Sequence, residues 1–93
     1  MIKAIKCKET QKIYEMGMSR KLPKEIQQQA YRKLLMLGNA VSIDDLRLPP
    51  ANHLEKSSGS REGQYSIRSN DPWRVCFVRR DNDTYEVAIV DYH

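Results

Sequence analysis

No stretch of the 93-residue chain approaches the roughly 20 consecutive apolar residues of a membrane-spanning helix, and the opening MIKAIKCKETQK is too polar to hold the apolar centre of a signal peptide. A cytoplasmic location without a membrane partner is therefore expected. Cysteine is scarce: Cys7 and Cys76 stand far apart, with no CxxC and no clustered histidine, which argues against a zinc site and against a structural disulfide. Both read as small buried apolar groups. Histidine occurs only at His53 and His93, and neither falls in an apolar stripe where a core histidine would sit. Internal repeats and low-complexity tracts are absent, and Lys56–Ser60 is too short a flexible turn to link domains. One domain over 1–93 is expected, because two cores would each bury too little apolar surface to offset chain ordering.

Charge is present but unevenly spread. The net charge is +4, yet residues 1–33 carry nine Lys or Arg against three acids, while residues 34–93 carry seven against nine. A basic front beside a near-neutral remainder suits a polyanionic partner, since each phosphate neutralised releases condensed counterions. A solvated helical face accounts for such charge equally well. With 40% apolar and 30% charged residues, the chain is expected to fold rather than remain disordered.

The periodicity changes along the chain. Ile2–Lys6 reads as a short edge strand, and Glu9–Met16 as a helix stopped by Gly17 in a left-handed turn. A second helix opens at Pro23 with Glu25 in its first turn. It carries Ile26, Ala30, Leu34 and Leu37 at helical spacing and ends at Gly38-Asn39. From Ala40 to Asn52 the pattern is lost, and Pro49-Pro50 marks a connecting loop with at most one helical turn. Thereafter the period is two: Tyr65–Arg68, Trp73–Phe77 and Thr84–Val90 read as three strands joined by hairpin-length turns. The expected fold is α+β, two N-terminal helices packed on a small, mainly antiparallel sheet.

Alternation puts Trp73, Val75 and Phe77 on one face and Arg74 on the other. By the same rule Arg68 leaves the face of Tyr65 and Ile67. Two arginines on one side of adjacent strands form a phosphate clamp, although solvated arginines on an open sheet face are also common. Lys56 and Arg61 precede these strands and add cations to the same edge if the turn folds back. Asp91 and Tyr92 follow an apolar strand and His93 comes next, so the sheet directs them unless the end frays.

Taken in order, SGSREGQYSIRSNDPWRVCF and EVAIVDYH resemble the HigB branch of the RelE toxin superfamily, from bacterial type II toxin–antitoxin modules. The likeness covers essentially the whole chain, including its NHLE segment. Its specificity lies in REGxxSI, the W-R-hydrophobic strand and DYH. One departure is Leu54-Glu55 after His53, where some relatives carry Pro-Leu.

The resemblance implies a microbial-RNase-like fold and a ribosome-dependent endoribonuclease, an mRNA interferase that cuts messenger RNA in the 30S A site of the 70S ribosome without a metal or other cofactor. It implies a HigA-like helix-turn-helix antitoxin, through which alone operator DNA is contacted. Its functional positions fall on His53, Lys56, Arg61, Arg68, Arg74, Asp91, Tyr92 and His93. Cleavage through the 2′-hydroxyl needs a base, cations at the phosphate and an acid for the departing 5′-oxygen. His93 with Asp91 is the expected base side and Arg68 with Arg74 the clamp. Tyr92 would stack on or position a base, His53 is the alternative acid, and Lys56 and Arg61 would hold flanking phosphates. The basic front would face ribosomal RNA. A non-catalytic RNA-binding module, or an inactive toxin acting only with its antitoxin as co-repressor, remains the alternative.

Overall fold

The computed structural model describes residues 1–56, 63–70 and 72–91, and among these are two α-helices, two short 3-10 segments and four strands. Helix α1 (Lys8–Met16) ends at Gly17, whose φ of 76° lets its amide close on the carbonyl of Ile13. Helix α2 (Lys24–Asn39) starts after Pro23 and buries Ile26, Ala30, Leu34 and Leu37, the stripe expected from the spacing. It ends at Gly38-Asn39, where the sequence places its end. A Cβ at Gly38 would meet the Tyr14 hydroxyl at 3.2 Å, so this glycine makes room for α1.

The strands β1 (Glu55–Lys56), β2 (Gln64–Arg68), β3 (Trp73–Arg80) and β4 (Asp83–Asp91) form one antiparallel sheet in the order β1-β2-β3-β4. The meander matches the three strands read from the sequence. Strand β1 was not anticipated, because two exposed charged residues show no alternation. The edge strand expected over Ile2–Lys6 is reduced to two parallel bridges, Ile2 with Thr84 and Ile5 with Val87. The Lys3 and Lys6 amides donate to the carbonyls of Thr84 and Val87 at 2.7 and 2.9 Å. Further along β4 the Ile89 amide donates to the buried Thr10 hydroxyl at 3.0 Å. The N-terminal segment and α1 thus supply partners along the outer edge of β4.

Between helices and sheet lies the core, in which Ile13, Ala30, Leu34 and Leu37 meet Ile67, Val75, Phe77, Val87 and Ile89. Each of these side chains except Ala30 contributes about 1.5–3 kcal/mol by leaving water. Among the described residues no helix packs on the opposite face of the sheet. Strand β4 changes parity within its length: Cys76 pairs with Ala88 but Val78 with Tyr85, so Glu86 and Val87 together oppose Phe77. This is a β-bulge, with Glu86 at φ 52°. It sends Thr84 into the interior and leaves Tyr85 half-buried, the reverse of simple alternation back from Val87. Among the described residues no helix is long and apolar enough to cross a membrane.

Candidate functional site

The open face of the sheet is built by alternation. Ser66 and Arg68 of β2 stand opposite Cys76 and Arg74 of β3, which in turn face Ala88 and Val90 of β4. Arg68 and Arg74 are direct register partners at the mouth of the β2–β3 hairpin, so their side chains rise from one face at one level. Arg74 is not a loosely solvated residue. Its side chain is only 12% exposed; Nε donates to the Ser66 hydroxyl at 2.9 Å and Nη2 to the carbonyls of His53 at 2.7 Å and Ser66 at 3.2 Å. The Glu55 carboxylate stands 3.7 Å from Nη2. The extra charge beside His53 is thus directed at Arg74.

His53 reaches the site through its backbone. It closes a 3-10 turn, Pro50–Asn52, in a left-handed conformation with φ 44°, and its carbonyl faces Arg74. Behind it Asn52 is fully buried, accepting from the Lys33 ammonium and donating to the Leu46 and Leu48 carbonyls at 3.1 and 3.4 Å. Lys33 is 5% exposed, and burial lowers its pKa. From the sequence, Lys33 belongs with the basic front and Asn52 with the connecting loop. Neither carries a signal of this contact, because they are distant in sequence and polar. The other eight Lys and Arg of residues 1–33 are exposed.

Other expected site residues are distributed differently. Lys56 lies in β1 rather than a turn and pairs with Tyr65, which puts it on the helix-side face and not beside the arginine pair. Asp91 ends β4 opposite Trp73, so its register position is also on that face, one residue past Val90. Arg61, Tyr92 and His93 lie outside the described residues. Cys7 and Cys76 are half-buried, not buried as expected: Cys76 sits on the open face, and Cys7 precedes α1, where the Thr10 amide lowers its thiol pKa. Among the described residues no three His, Cys, Asp or Glu side chains gather as ligands for an ion.

Two of the cavities in the described structure differ in how they lie relative to these residues. One of about 230 Å³ lies on the open face, floored by Cys76, Val78, Ala88 and Val90 and edged by polar Gln64, Glu86 and Lys6. A larger one, about 400 Å³, lies away from the arginine pair between α1 and the loop after it, beside Met16, Met18 and three cations.

A family model described as RelE-like toxin of type II toxin–antitoxin system HigB matches residues 3–93. Toxin HigB-1 of Vibrio cholerae is 40% identical over 58 residues, 62% of this chain and 61% of its own length. An uncharacterised protein of Haemophilus influenzae is 38% identical over 63 residues, 68% of this chain and 62% of that protein. Endoribonuclease HigB of Proteus vulgaris is 29% identical over 93 residues, the full length of both.

Proposed function

Because the chain belongs to the HigB family of RelE-like toxins of type II toxin–antitoxin systems, we propose that it is an endoribonuclease that cuts messenger RNA in the ribosomal A site, arresting translation and growth. Family membership implies an antitoxin partner; a helix-turn-helix HigA-like protein is the proposed one. The observation that carries the reading is the Arg68–Arg74 pair, two cations at one level of a sheet face that none of the described helices covers. The name of the full-length Proteus vulgaris relative, an endoribonuclease, supports the same activity.

The proposed chemistry begins with an RNA phosphate held by Arg68 and Arg74. A base removes the 2′-hydroxyl proton, the freed oxygen attacks phosphorus, and the 5′-oxygen of the next nucleotide leaves as it takes a proton from an acid. The products are a 2′,3′-cyclic phosphate and a 5′-hydroxyl. His93 serves on the base side with Asp91 orienting its imidazole from the end of β4, where its register position is on the helix-side face, and His53 is the alternative acid, held near Arg74 by its own carbonyl. The guanidinium groups oppose the charge that gathers on the phosphoryl oxygens. Tyr92 stacks on or positions a base, and Arg61 and Lys56 hold flanking phosphates, Lys56 with the smaller effect because of its position on the other face.

One observation favours a second reading for a single residue. Arg74 makes contacts to Ser66 and His53 that would stabilise a non-catalytic RNA-binding module equally well. Adding purified protein to translating ribosomes and mapping new 5′ ends separates cleavage from binding. Cuts within the A-site codon are expected from the wild type and are expected to vanish in Arg68→Ala; binding without new ends would sustain the second reading.

A further inference from the structure

The open-face cavity begins where the arginine pair leaves off. Gln64 is four residues before Arg68 on β2, about 13 Å along the strand, and borders the same cavity as Glu86 of β4. The floor between them is apolar, made by Cys76, Val78 and Ala88. Glu86 is brought to this rim by the bulge. With φ 52° it takes the extra position in β4, so Val87 can still enter the core while the carboxylate edges the cavity. Arg80 stands 3.9 Å from that carboxylate. Lys6, carried in by the N-terminal bridge to Val87, adds a cation at the margin.

A flat apolar floor with hydrogen-bonding groups at its edges is what a single unstacked nucleobase requires. The edge groups also define which base. An ionised carboxylate only accepts hydrogen bonds, so it pairs with the exocyclic amino group of adenine, cytosine or guanine. Uracil has no exocyclic amino group: its one edge donor, the N3–H, is flanked on both sides by carbonyl oxygens that repel the carboxylate. Gln64 both donates and accepts, and so serves a ring nitrogen or carbonyl beside that amino group. We infer that this cavity is a base-selecting subsite: it takes a nucleobase of the RNA strand whose phosphate lies on Arg68 and Arg74, and Glu86 favours amino-bearing bases over uracil. The inference rests on the RNA-cleaving reading for its substrate, but its test does not depend on cleavage.

Cys76 in the floor is the reporter. Alkylation of wild-type protein by iodoacetamide, followed by peptide mass, reads Cys76 with Cys7 as internal reference, since the chain has two cysteines. AMP, CMP and GMP are expected to slow Cys76 alkylation at concentrations about tenfold below those needed with UMP, leaving Cys7 unchanged. Glu86→Gln should erase that discrimination; if this variant does not fold, Gln64→Met should weaken protection by all four nucleotides. Equal protection by UMP, or no protection by any nucleotide, overturns the subsite. Mapped 5′ ends give the second arm: Glu86→Gln should admit uracil at a fixed distance from the cut. An unchanged base distribution from an active enzyme overturns the inference as well. A wild type that cuts no RNA while its Cys76 is protected selectively would remove the nuclease reading and retain the subsite.

Discussion

Arg68 and Arg74 face one another across a hairpin, yet they differ in what each would lose by truncation. Arg74 is nearly enclosed and ties Ser66 and the His53 carbonyl together, whereas Arg68 is half-buried at the end of β2. Lysine cannot reproduce the forked contacts of a guanidinium. Arg74→Lys is therefore expected to lower cleavage and also to destabilise the fold by about 1.5–3 kcal/mol in urea unfolding, the range for hydrogen bonds to a charged group. Arg68→Ala should abolish cleavage; an unchanged cleavage rate would contradict its place in the clamp. Gly63, the glycine of the REG motif, has φ 76° and lies so close to β3 that a Cβ would come within 2.5 Å of the Arg79 carbonyl. Gly63→Ala should destabilise by more than the roughly 1–2 kcal/mol of the left-handed conformation alone, read in the same urea series. Gly17→Ala, with nothing within 4 Å of its Cβ, should show only the conformational part.

The loop from Ala40 to His53 behaves as an element with its own polar interior. Asp45 accepts from the Val41 and Ser42 amides at 2.8 and 3.1 Å, and these bonds lower its pKa. Glu9, bonded to the Ser19 hydroxyl, is lowered in the same sense. Both carboxylates bind protons more weakly folded than unfolded, so their stabilisation is present above the ordinary carboxylate range and is lost as pH falls through their lower folded values. The melting temperature should fall below about pH 4, and less steeply in Asp45→Asn with Glu9→Gln. Buried Lys33 acts with the same sign in a different window: the unfolded chain again holds the proton more tightly, so stability should rise as pH climbs through the lowered folded value toward the ordinary lysine pKa of about 10.4. Lys33→Met should remove that alkaline rise in a pH series of thermal melts. This loop is also where the sequence was least legible. The α2 stripe and the three strands follow from one-dimensional periods, and the shared face of Arg68 and Arg74 follows from alternation. The Lys33–Asn52 contact, the pairing of β1 and the bulge at Glu86 do not, because each depends on groups brought together only by the folded chain. Alternation through Thr84, Tyr85 and Glu86 fails at that bulge, and the base-sized cavity opens beside it.

At the scale of the whole molecule, charge and shape are divided between two surfaces. The first 33 residues present eight exposed cations while Lys33 is withdrawn into the interior, and the arginine pair lies on the uncovered face of the sheet. If the basic front grips ribosomal RNA, affinity for ribosomes should fall steeply between about 50 and 200 mM salt. Replacing Arg20 and Lys21 with Gln should make that slope shallower without altering which codons are cut. The family assignment rests on a match over residues 3–93, and the proposed activity rests on the open face. The most direct test of that activity is to map 5′ ends on translating ribosomes exposed to wild-type protein and to Arg68→Ala at matched stability. The account predicts new ends within the A-site codon, carrying 5′-hydroxyls, for the wild type and none for the variant. Identical cleavage by both proteins would contradict it.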